Sequence, residues 1–130
     1  MKDGGLVPEE RGEFESKQVI SEEVSATMRG MLHDTRSSYL KKDPWGYYIG
    51  GKTGTGQVYL ESTKAYSAPD GETIATYSGF VGPNGELPKY VIVVKMWGEG
   101  KHLAGSTDAK KAFDSLMDAT IDYFKIEPRG

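Results

Sequence analysis

Two strand-like runs, ETIATYSGFVG and KYVIVVKMW, stand on either side of GPNGELP and constrain the fold of this 130-residue chain more than any other feature. Asn-Gly turn chemistry between runs rich in β-branched and aromatic residues is a hairpin signal, so these two strands are expected to pair antiparallel. A third run, YYIGGKTGTGQVYL, is rich in Tyr, Ile, Val and Thr and reads as a third strand. The segment YVIVV is apolar at successive positions, which suits a strand covered on both faces.

Helical periodicity flanks this sheet. From Ser21, an N-cap with Glu22 and Glu23 near the positive helix end, apolar residues recur at Val24, Met28, Met31 and Leu32, predicting about four turns. KKDPWG ends any helix, because Pro44 disfavours helical geometry at Asp43. A second helix is predicted after a cap at Ser106 or Thr107. Its apolar face is Phe113, Leu116, Met117, Ile121 and Phe124, and Lys110, Asp114, Asp118 and Asp122 take the other side. ESTKAYSAPDG, 61–71, reads as a loop. Residues 1–18, polar and rich in Gly and Glu, read as a linker or extended arm. The expected fold is α+β: a three-stranded antiparallel sheet flanked by an N-terminal and a C-terminal amphipathic helix.

Composition removes several function classes. A net charge of −3 gives no reason to expect a nucleic-acid partner. With no cysteine and only His33 and His102, thiol chemistry and a histidine-built metal site are not expected, and no cofactor is implied. His33, beside Asp34 near the end of the first helix, reads as a surface or satisfied histidine. No run approaches the roughly 20 apolar residues of a membrane span, so the chain as given is expected to be soluble.

GYYIGGKTGTGQ, Gly46 to Gln57, fits two patterns. From Gly46 it spells the G-x-x-x-x-G-K-T of a phosphate-binding loop; from Lys52 it spells Lys-Thr-Gly, a signature of penicillin-binding enzymes. The first pattern needs a strand before it and a helix starting at Lys52. GTGQVYL, with its glycines and β-branched residues, is a poor helix start. The second needs Lys-Thr-Gly on a strand, as the surroundings propose. Gly54 then suits close approach of another backbone, such as a peptide added to the sheet edge. Strict alternation puts Thr53 and Thr55 on one face and Lys52 on the other unless the strand twists or bulges.

The resemblance extends beyond the triplet. VISEEVSATMRGML, GGKTGTGQ, TYSGFVGPNGELPKYVIVVKM and AGSTDAKKAFDSLMDATIDYFKIEP together resemble, in order, the C-terminal part of the transpeptidase domain of class B, monofunctional penicillin-binding proteins over residues 19–128. That resemblance implies a piece of a serine D,D-transpeptidase that cross-links peptidoglycan. Its partners would be the D-Ala-D-Ala stem peptide, β-lactams and the upstream part of the domain. The intact protein would sit at the extracytoplasmic face of a bacterial membrane, anchored by an upstream segment. Carried over residue by residue, Lys52 orients the substrate carboxylate, the Thr53 and Thr55 hydroxyls hold it, the Thr55 N–H is an oxyanion-hole donor, and Gly51 and Gly54 keep the strand bare.

Two motifs of that family depart. No Ser-x-Asn occurs, and Ser-x-x-Lys occurs only at Ser38 to Lys41, just ahead of Lys52 rather than far upstream. The chain alone is therefore expected to be inactive and, with apolar sheet area uncovered, to self-associate. A non-catalytic peptide- or protein-binding module on a degenerate transpeptidase fold is the alternative. Lys101 and His102, in the glycine-rich loop 97–106, are candidates for the rim of the substrate cleft.

Overall fold

The computed structural model describes residues 17–37 and 43–130. Helix α1 spans Glu22–Ser37, and strands follow as β1 Tyr47–Gln57, β2 Tyr59–Leu60, β3 Ala65–Tyr66, β4 Thr73–Pro83 and β5 Tyr90–Met96. A single π-helical turn, Gly105–Ala109, leads into α2, Lys110–Phe124. The arm expected at 1–18 and the Ser38 to Lys41 match lie largely outside the described residues.

β1, β4 and β5 form an antiparallel sheet in the order β1-β4-β5, so β1 is an edge strand and β4 is central. The β4–β5 hairpin turns at Gly85, whose φ of +75° favours glycine. The Asn84 N–H donates to Gly46 O at 2.9 Å, which ties the turn to the start of β1.

The core lies between α2 and one face of the sheet. Phe113 and Met117 press on Ile49, Ala75, Tyr77, Val81 and Val94, and the Tyr77 and Phe113 rings lie 4.6 Å apart. The other face is covered only by α1, which leaves Val91 75% and Val93 66% exposed. The expectation that YVIVV is covered on both faces is therefore not met: Val94 is buried on the α2 side, whereas Val91 and Val93 face solvent.

Ser21 caps α1 as expected, its hydroxyl accepting from the Val24 N–H at 3.2 Å. The apolar stripe of α1 is not its packing face, however: Val24, Met28 and Met31 are exposed. α1 meets β1 instead through His33, stacked on Tyr48 at 4.5 Å, and through buried Arg36. In α2, Phe113 and Met117 are buried, but Leu116 and Phe124 are about half exposed. Lys110 and Asp114 are not on the solvent side, because both join an ion-pair cluster with Arg36.

Neither Ser106 nor Thr107 caps α2, since both lie inside the π turn. No side chain caps α2; the Asp108 carboxylate instead accepts from the Ala104 N–H at 2.8 Å and closes the π turn that leads into it. The predicted first strand stops at Gln57. Tyr59–Leu60 instead pairs with Ala65–Tyr66 in a small ribbon, so the segment 61–71 is not wholly loop.

Candidate functional site

β1 runs without a bulge from Tyr47 to Gln57, each residue opposite its β4 partner. Antiparallel ladders alternate, so residues whose backbone groups face the partner strand are followed by residues whose groups face away. The Val58 N–H donates to Glu72 O and the Asn84 N–H to Gly46 O, which fixes the even-numbered residues of β1 as the ones facing β4. Gly51, Thr53, Thr55 and Gln57 therefore point their N–H and C=O groups at the open edge. Nearer the strand start the outward groups are already used: the Ile49 N–H donates to the Asp43 carboxylate at 3.3 Å and the Tyr47 N–H to Pro44 O at 3.2 Å. At Thr53 and Thr55 no described residue accepts from the outward N–H groups, so a bare edge remains there.

The two ends of this edge are held differently. At the start, the Asp43 carboxylate gathers Arg36 and His33 Nε2, the latter at 3.1 Å, and fixes α1 against β1. This makes His33 a packed and paired residue. At the far end, Gln57 Nε2 donates to Ser67 O at 2.7 Å, and buried Ser67 also accepts from the Val58 N–H, so the β2–β3 ribbon anchors the strand.

Thr53 lies opposite Tyr77 and Thr55 opposite Ala75, both core residues under α2, so the two threonines share the α2 face. Lys52 lies opposite exposed Ser78 on the other face. Its stem starts there, but Nζ curls over the open edge to donate to Thr53 O at 3.0 Å and approaches Thr53 Oγ1 at 3.5 Å. The ammonium and the Thr53 hydroxyl thus meet at one stretch of edge despite alternation, whereas the Thr55 hydroxyl accepts from the Gly105 N–H of the π turn at 3.0 Å.

Both glycines of this stretch have an internal reason as well. A Cβ on Gly51 would meet the Tyr77 ring at 2.5 Å, and one on Gly54 would meet Thr76 Oγ1 at 2.5 Å. Burial pushes the Tyr77 phenol above its ordinary value, so it stays protonated beneath Gly51. Lys101 and His102 lie away from this edge: the Lys101 carbonyl accepts from the Thr73 N–H, and His102 Nδ1 is 2.9 Å from Gly71 O. They staple the loop after β5 to the start of β4.

A phosphate-binding loop is ruled out, because extended strand continues through Lys52 for five more residues and no helix starts there. Among the described residues, no group of His, Asp or Glu is arranged to hold a metal ion, and no helix is long and apolar enough to cross a membrane. The family model of the penicillin binding protein transpeptidase domain matches residues 8–118. The chain belongs to that family. Membership places it among penicillin-binding transpeptidases of cell-wall synthesis, and the α+β architecture, with its three-stranded antiparallel sheet and two helices, is consistent with a fragment of such a domain. Neither the curated proteins nor the solved structures contain a match.

The sequence pointed to Lys52, Thr53, Gly54 and Thr55; the structure puts the backbone N–H groups of Thr53 and Thr55 and the Lys52 ammonium at the bare edge, while the backbone of Gly54 faces β4. It did not point to Arg36, Asp43 or Gly105, which position that edge. Arg36 and Asp43 carry no local pattern; they meet only because α1 folds back on β1.

Proposed function

We propose that β1 supplies the substrate-binding strand of a serine D,D-transpeptidase of the class B type, acting on peptidoglycan stem peptides ending in D-Ala-D-Ala and acylated by β-lactams. The observation that carries this reading is the outward-facing N–H of Thr55 on an open strand edge, with the Lys52 ammonium folded over the same edge onto Thr53 O.

A peptide laid on this edge as an added strand would gain main-chain hydrogen bonds from Thr53 and Thr55. Lys52 and the Thr53 hydroxyl would hold its carboxylate. The Thr55 N–H would meet the carbonyl where negative charge develops on attack. The attacking serine is not among the residues that supply this edge. Ser-x-x-Lys and Ser-x-Asn motifs in the rest of a transpeptidase domain would bring it, and that part would cover Val91, Val93 and the α1 stripe. Residues 19–128 are the portion assigned to the domain, with 1–18 leading into it, and the working enzyme would act outside the membrane.

A fluorescent penicillin tests this directly. The 130-residue chain alone should remain unlabelled, whereas co-expression with the upstream part of a transpeptidase domain should restore labelling that Lys52→Ala abolishes. Labelling of the chain alone would refute the division of labour.

A further inference from the structure

The open edge of β1 does not end with the strand. The Val58 N–H donates to Glu72 O and the Ser67 N–H donates to Val58 O at 2.7 Å, so the backbone of Val58 faces inward. Alternation then turns the N–H and C=O of Tyr59 the other way, in line with those of Thr53, Thr55 and Gln57. Among the described residues none accepts from the Tyr59 N–H. Tyr59 and Tyr66 are direct partners across the β2–β3 ribbon, with ring centroids 5.5 Å apart and planes at 79°. They are 47% and 67% exposed. So short a ribbon is marginal by itself in water, yet this one is fixed by buried Ser67, whose hydroxyl donates to Glu72 O at 2.5 Å and accepts from the Val58 N–H. An edge-to-face pair of rings is thus held in place and left open to solvent. Rings so fixed offer apolar faces and phenol oxygens to a ligand at little entropic cost.

We infer that Tyr59 and Tyr66 form a sugar-stacking subsite at the far end of this edge. The inference rests on the reading of β1 as a peptide-binding edge. With the attacked carbonyl at the Thr55 N–H and the carboxylate toward Lys52, the peptide runs antiparallel to β1. Its earlier residues then pass Gln57 and reach Tyr59, four residues past Thr55 and about 14 Å along the strand direction. A stem peptide hangs from its glycan by the end remote from D-Ala-D-Ala, so the group delivered to the ribbon is a sugar. A pyranose ring presents C–H groups on its faces and hydroxyls on its rim, which complement the faces and phenol oxygens of the two tyrosines. The ribbon thereby favours stems still attached to glycan over free peptides.

The test is an amide-shift titration of the full chain with three probes: acetyl-D-Ala-D-Ala, a complete stem peptide ending in D-Ala-D-Ala, and that stem linked to N-acetylmuramic acid. Wild type, Tyr66→Ala and Tyr66→Phe are compared; Tyr66 lies on β3 rather than on the edge, so its ring is removed without touching the groups that pair with peptide. The sugar-linked stem should move amides at 59–66 together with those of Thr53 to Gln57, and should bind about five-fold more tightly than the sugar-free stem. Tyr66→Ala should abolish that gain and leave the Kd of the sugar-free stem unchanged, and Tyr66→Phe should keep most of it. Equal affinity for the two stems, or a Tyr66→Ala loss that falls on both alike, would overturn the subsite, and shifts at Thr53 to Gln57 would still uphold the edge. Shifts at 59–66 with the sugar-linked stem and none at Thr53 to Gln57 with any probe would sink the edge reading alone. No shift with any probe would sink both.

Discussion

The backbone N–H of Gly105 donates to the Thr55 hydroxyl at 3.0 Å, which binds the π turn to the strand that carries Lys-Thr-Gly. The approach is close enough that a Cβ on Gly105 would sit 2.4 Å from Gly54 O and 2.6 Å from Thr76 O. Both obstacles are backbone, so neither can swing aside. Gly105→Ala is expected to destabilise the fold by about 1–3 kcal/mol through overpacking, read from urea unfolding. Thr55→Val should cost about 1–3 kcal/mol by leaving the buried Gly105 N–H without its acceptor, while Thr55→Ser should retain most of the stability.

Gly51 and Gly56 sit on the same strand and should respond in opposite directions. A Cβ at Gly51 would collide with the buried Tyr77 ring, whereas one at Gly56 meets nothing within 4 Å. Gly51→Ala is expected to lower stability by about 1–3 kcal/mol. Gly56→Ala should be neutral or stabilising by up to about 1 kcal/mol, because it restricts the unfolded chain. Equal losses in thermal unfolding of the two variants would contradict this packing.

Hairpin and helix signals were legible because they are local: Pro-Asn-Gly between β-branched runs and Ser21 ahead of two glutamates each act within a few residues. The facing of α1 was not. Val24, Met28 and Met31 form a regular apolar stripe, yet tertiary contacts through Arg36 and His33 decide which side meets β1. The edge site was legible in part, since alternation correctly separates Lys52 from Thr53 and Thr55. It could not show that the flexible lysine stem returns its ammonium over the open edge. The reach of Gly105 to Thr55 spans fifty residues and has no trace in local pattern.

Arg36 and Asp43 form an ion pair with side chains 6% and 11% exposed, at the point where α1 meets the start of β1. Removing one partner of such a pair leaves the other charge buried without compensation. Arg36→Met is expected to cost about 3–5 kcal/mol in urea unfolding, and Asp43→Asn a similar amount. The double variant should lose less than the sum of the two singles. Additive losses would mean that the residues act separately.

Asp108 gives the start of α2 a dependence on pH with a definite sign. Its carboxylate accepts from the Ala104 N–H and from the Thr107 hydroxyl, and these bonds hold its pKa below the ordinary 3.8. A carboxyl whose folded pKa is depressed contributes stability that is fully present above its unfolded value and is lost as pH falls through the folded one. Glu86 behaves in the same way, held below its ordinary 4.5 chiefly by Lys89 and also by Arg129, so the two groups share the acid limb. Melting temperature should therefore be flat from neutral pH down to about 4.5 so far as these two groups are concerned, and should fall below it. Asp108→Asn should be less stable than wild type at pH 7 and should show a shallower decline below about pH 3.8. Glu86→Gln should flatten the part that begins nearer pH 4.5. Identical acid limbs in wild type and both variants would show that neither carboxylate is linked to folding.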